Sequence, residues 1–247
     1  MNLTEFGGLA VIFGFLLIMI TYTIYHRGRE TPALRAIAAF QRLERAIGLA
    51  VEAGNRLHFA LGSGNLISPQ SGIGFLGLSL LGHITKKTAL SDYPPISTAG
   101  EGLLALLAQS TQREAAQKLG GHFDPALARI TGLSPFAYAA GASLLVSEEK
   151  AGASFLFGTF RSESSLIFEA TERNNGEPLG GTDDVAGQAV MFVSTQEPLI
   201  GEETFAAGAY IGGDDFHKAS LFAEDVFRWV LIGFILVGAL LKLAGFI

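Results

Sequence analysis

The sequence predicts an α/β fold in which a doubly wound, Rossmann-like, mostly parallel sheet is flanked by N- and C-terminal transmembrane helices. Three observations predict it. Long apolar runs occupy both ends of the 247-residue chain. Short apolar runs alternate with longer helical patterns between those ends, and the spacing leaves room for the helical crossovers that parallel strands require.

From Phe6 to Tyr25 the chain runs twenty residues without a charge, about 30 Å as a helix and so the thickness of a hydrocarbon core. A cleaved signal peptide would need a basic start and a small-residue exit, whereas this segment opens on MNLTE and leaves through Tyr22, Tyr25 and His26. The second run, Trp229 to Ile247, carries Lys242 close enough to its end for the ammonium to reach the interface. Two buried core helices would be equally apolar. Against them stand the terminal positions and the interfacial anchors at the inner ends, Tyr22 and Tyr25 on one run, Arg228 and Trp229 on the other.

Arg27, Arg29, Arg35, Arg42 and Arg45 follow the first run, and Glu5 is the one charge before it. The positive-inside rule then places the middle of the chain in the cytoplasm and both termini outside. Residues 26 to 56 hold six Arg and three acids, while residues 57 to 225 hold nine Lys or Arg and nineteen acids. The basic part faces anionic headgroups, and the acidic body argues against nucleic acid as a partner. The resulting division is 1–26 for the first span, 27–56 for a juxtamembrane amphipathic helix, 57–218 for the cytoplasmic domain, and 219–247 for a helix continuing into the second span.

Within the middle, Thr31-Pro32 reads as a helix start, with Thr as N-cap and Pro at the first helical position. Ile37, Phe40, Leu43, Ile47 and Val51 recur at helical spacing until Gly54 ends the pattern. Strands are predicted at Leu57–Leu61, Ile96–Ala99, Ala128–Thr131, Ser154–Phe160, Glu177–Gly180 and Ala189–Ser194. Helices are predicted near Ser71–Ala89, Glu101–Leu119, Pro135–Lys150, Glu163–Arg173 and Pro198–Tyr210. No Pro or Gly interrupts Ser220 to Ile232, so the helix from about Ala219 should run straight into the second span.

Composition narrows the chemistry. The chain is 49% hydrophobic and 16% charged, with mean hydropathy +0.39, and it contains no Cys. That excludes disulfides, thiolate metal sites and cysteine nucleophiles. Gly72 to Gly77 (GIGFLG) matches a dinucleotide fingerprint, but these glycines lie about ten residues beyond the first strand and inside a helix, where small residues serve close packing. Walker A, HExxH, GxSxG and kinase signatures are absent, so no catalytic residue is nominated. His26, His58, His83, His122 and His217 lack metal spacing, and His58 and His83 read as structural imidazoles.

Ser, Thr and Gly residues do follow most of the predicted strands. Ser63, Asn65, Ser97, Thr98, Ser134, Thr159 and Ser194 would converge at one sheet edge and form a candidate crevice for a small molecule or nucleotide. The same residues suit caps and turns without any ligand. The acidic pairs Asp183-Asp184, Glu202-Glu203 and Asp214-Asp215, and Glu169 with Glu172, read as solvated surface and not as a metal site. Glu202 and Glu203 sit amid apolar residues and are expected to be partly buried, opposite an Arg or a neighbouring subunit.

The stretches GTFRSESSLIFEATERNNGEPLGGTDD and FVSTQEPLIGEETFAAGAYIGGDD resemble an uncharacterised family of bacterial membrane proteins known as a domain of unknown function. The likeness extends loosely back to Ala38–Arg56 and forward into the last span, and LIGEETFAAGAY is its most family-like part. It implies a bacterial cytoplasmic-membrane setting and carries no activity, cofactor or site residue. The expected function is a non-catalytic scaffold, anchored in the lipid bilayer and assembling with its own copies and with other membrane proteins. A membrane-bound sensor or enzyme using the strand-end loops is the rival. Two spans without internal charges other than Lys242 make a transporter the weakest of the three.

Overall fold

A computed structural model of the chain describes residues 3–26, 34–68, 71–88, 91, 93–120, 123–213 and 215–245. Arg27, Arg29, the Thr31-Pro32 pair, His122 and Asp214 lie outside the described residues. In chain order the elements are α1 (Leu3–His26), α2 (Ala38–Ala53), β1 (Leu57–Gly62), α3 (Gly72–Lys87), β2 (Ile96–Ala99), α4 (Gly102–Lys118), β3 (Ala128–Ile130), α5 (Pro135–Glu148), β4 (Ala153–Thr159), α6 (Ser164–Arg173), β5 (Glu177–Gly181), α7 (Val185–Ser194), α8 (Glu202–Ile211) and α9 (Asp215–Leu243). They form two compact units, one from Met1–Leu34 with Gly213–Ile247 and one from Arg35–Gly212.

In the first unit α1 and α9 pack antiparallel. Tyr22 stacks on Phe222 with ring centroids 4.5 Å apart, and Phe15 meets Phe227 at 5.9 Å. Ala219 and Ala223 are fully buried beside Met19, and their small side chains let the backbones approach. Phe6–His26 and Asp215–Leu243 have mean hydropathies of 2.2 and 2.1 and are long and apolar enough to cross a membrane. Tyr22 pairs with Phe222 instead of lying level with Trp229, an offset of seven residues or about 10 Å along a helix.

The central unit is a five-stranded, all-parallel sheet in the order β3-β2-β1-β4-β5. Parallel neighbours need crossovers, and right-handed crossovers in this order place helices on both faces. Thus α3 packs with α4 and α8, while α5, α6 and α7 pack in succession. Every residue of β1 and β2 is buried, as in a parallel sheet covered on both faces, and the polar His58, Ser97 and Thr98 are buried with the rest. One core layer joins Ala60 and Leu156 of the sheet to Tyr138, Ile167, Phe168 and Met191 of the helices.

Local signals set the helix ends. Gly54 stops α2 in the left-handed conformation (φ 65°), and its N–H is donated back to the last turn. The Glu101 side chain caps α4 by accepting from the Leu104 N–H at 2.8 Å. The GIGFLG motif lies in α3, where a Cβ at Gly77 would overlap the carbonyl oxygen of Phe157, so its glycine lets the helix lie directly on β4.

One predicted element is overturned. Ala189–Ser194, read as a sixth strand, forms the second half of α7. Asp184 caps this helix, its Oδ1 accepting from the N–H groups of Ala186 at 3.0 Å and Gly187 at 3.1 Å. A single bridge from Leu199 to Gly181 stands beside β5 at the position a sixth strand would take.

Candidate functional site at the ends of the strands

In a sheet of this order, ligands are expected outside the carboxyl ends of β1 and β4, where the winding reverses. That junction is filled by backbone. Gly62 (φ 76°) and Gly64 press against Thr159, so that a Cβ at Gly64 would stand 2.5 Å from Thr159 Oγ1. The Ser63 N–H is donated to the Thr159 carbonyl at 3.4 Å, and the Gly100 N–H to the Gly62 carbonyl at 2.9 Å. The loops leaving β1, β2 and β4 are therefore bound to one another.

The residues proposed for a crevice are distributed as follows from this packing. Ser63 and Thr159 meet at the junction. Asn65 is exposed, and its Oδ1 closes a turn by accepting from the Ile67 N–H at 2.8 Å. Ser134 is exposed at the start of α5, where its side chain caps nothing and its carbonyl accepts from the Tyr138 N–H at 2.8 Å. Ser97 is buried within β2 and donates to Gln112 Oε1 of α4 at 3.0 Å. Ser194 is the last residue of α7 and not the end of a strand. Thr98 is buried on the opposite face of β2 from Ser97.

Thr98 belongs to a polar chain that sequence reasoning missed. Its Oγ1 lies 2.9 Å from His58 Nε2 and 3.1 Å from the Tyr138 hydroxyl. His58 Nδ1 lies 3.3 Å from Ser154 Oγ, to which Thr171 donates at 2.7 Å. The Tyr138 hydroxyl in turn accepts the Gly62 N–H at 3.2 Å. Burial pushes the His58 pKa from 6.5 down to about 3, so its ring is neutral at physiological pH. Burial also raises the Tyr138 pKa. All five side chains are sealed from solvent, with at most 1% exposure. The chain of hydroxyls and imidazole thus ties β2, β1 and β4 to α5 and α6 with its buried polar atoms satisfied, and it offers no reacting group to a substrate.

Over residues 2–247 the sequence matches the family described as domain of unknown function DUF6754. The chain belongs to that family. No curated protein and no solved structure matches it. In this DUF6754 chain, among the described residues, no group of three or more His, Asp and Glu side chains converges in a way that would hold a metal ion.

In the DUF6754 stretch LIGEETFAAGAY the two acids stand in different surroundings. Glu202 is exposed, and Glu203 is half-buried and bound to Arg35, with Nη2 to Oε1 at 2.5 Å. Both lie in the first turn of α8, where a carboxylate is stabilised by the unpaired N–H groups of the helix end. The apolar neighbours Ala206, Ala207 and Ala209 turn inward, which leaves the acids at the rim.

Proposed function

We propose that this DUF6754 chain is a non-catalytic scaffold of a bacterial inner membrane, anchored by two spans and assembling with its own copies through a cytoplasmic α/β domain. The observation that carries this reading is the outer face of α7. Val185, Phe192 and Val193 are 80%, 65% and 85% exposed, and Ala189 is exposed between them. This i, i+4, i+7, i+8 spacing makes one apolar stripe on a helix without a charged residue, of which only Gly187 and Met191 are buried. An exposed apolar stripe of this kind marks a surface that a partner covers. Anchoring confines the copies to two dimensions and raises their effective concentration, which favours self-association.

The cytoplasmic placement rests on the arginines that follow the first apolar run. The rival reading, a sensor or enzyme using the strand-end loops, has less support because backbone fills the junction of β1 and β4. The chain has no cysteine, so a single Val193→Cys substitution gives a clean probe. Oxidation of intact membranes should yield a cross-linked dimer, and the detergent-solubilised protein should measure as a multiple of the 26.1 kDa chain. A strictly monomeric particle would overturn the reading.

A further inference from the structure

Between α2 and the amino-terminal edge of the sheet, opposite the strand-end loops, lies a groove of about 320 Å³. Arg42 and Arg45 line it from α2, Asn55 from the turn before β1, and Asn175 and Glu177 from the start of β5. We propose that this groove binds the phosphate group of an anionic ligand that also has an apolar portion.

Charge is the first support. Arg42 is held by Glu177, Nε to Oε1 at 3.0 Å. Arg45 has no carboxylate partner among the described residues, so one guanidinium of the two is uncompensated. It belongs to the basic segment of the chain, residues 26 to 56, where six Arg stand against three acids.

Uncommitted donors are the second support. Among the described residues the carboxamides of Asn55 and Asn175 make no side-chain hydrogen bond, and Asn175 is fixed at φ 57°. Two guanidinium forks and two carboxamides around one cavity suit the several acceptor oxygens and high charge of phosphate better than a single carboxylate. The third support is the wall of α2, where Leu49 is 59% exposed next to the alanines at positions 46, 50 and 53. An acyl or similar apolar group would cover it. A lipid headgroup and a free phosphorylated metabolite share this chemistry.

The test uses the full-length chain in neutral detergent and phosphate-free buffer, titrated calorimetrically with inorganic phosphate and with dihexanoyl phosphatidic acid. Saturable binding of at least one probe is expected. Arg45→Gln should weaken it roughly tenfold, the loss of one charge-assisted contact, and Arg45→Lys should recover part of that. Asn175→Gly, compatible with the backbone conformation, should weaken it several-fold. If phosphatidic acid binds more tightly than phosphate and Leu49→Ser removes only that advantage, the ligand is a lipid. If both probes bind alike, the wall at Leu49 takes no part and the apolar portion of the proposal is overturned. Binding of neither probe, or affinity unchanged in an Arg45→Gln protein of unaltered melting temperature, would overturn the proposal.

Discussion

His58 Nε2 lies 2.9 Å from Thr98 Oγ1 in the fully buried centre of the sheet, joining β1 to β2 through side chains as well as backbone. Because burial lowers the imidazole pKa from 6.5 to about 3, the unfolded chain binds a proton that the folded chain refuses between those values. The stability this group contributes is complete above pH 6.5 and is lost as the pH falls toward 3. The slope should approach about 1.4 kcal/mol per pH unit. Thermal unfolding from neutral pH downward should show this decline, and His58→Gln should flatten it. Equal slopes for the two proteins would show that the histidine is not the group responsible.

Two glycines on different helices should respond in opposite ways to alanine. A methyl at Gly77 would collide with the Phe157 carbonyl and with Leu61 Cδ2 at 2.9 Å. Gly77→Ala should therefore destabilise the protein by about 1–3 kcal/mol, the range for an overpacked core. Gly48 lies in the middle of α2 with nothing within 4 Å of its Cβ position. Gly48→Ala should stabilise by roughly 0.5–1 kcal/mol through helix propensity alone. Chemical denaturation of both variants is the check.

The register of α1 on α9 is open to cross-linking. Tyr22→Cys combined with Phe222→Cys should form a disulfide within one chain, since the native rings stack at 4.5 Å. Tyr22→Cys with Trp229→Cys should not, because seven residues of helix separate the two partners. Efficient bonding of the second pair would mean that the helices slide into level register.

Polar substitution on α7 should change assembly without changing folding. Phe192 and Val193 are 65% and 85% exposed, so Phe192→Ser with Val193→Ser removes little core contact. Light scattering of the solubilised double variant should give a smaller particle with a melting temperature within a degree or two of the parent. A particle of unchanged size would move the self-association surface elsewhere.

Much of the fold was legible because its signals are local. β1 and β4 stand out as buried, mainly apolar runs, the short β2 and the partly exposed β3 are found at their predicted places, and so is the Pro-containing Glu177–Gly181. The segment Ala189–Ser194 reads as a strand because its run Ala189–Val193 is continuously apolar and shows neither a two-residue nor a helical period. The informative residue there was Asp184, whose cap sets the helix start. The candidate site was less legible. His58 meets partners 40 and 96 residues away, and nothing in the sequence spacing of Thr98, Tyr138, Ser154 and Thr171 announces that they share one face.

The strand order also constrains how the protein is made. β1 lies between β2 and β4, and β4 begins roughly ninety residues after β1 ends. During synthesis β1 therefore leaves the ribosome with one flank unpaired and must wait for a late-emerging neighbour. A chaperone acting on the nascent chain would find a target in the Leu57–Gly62 segment throughout that interval.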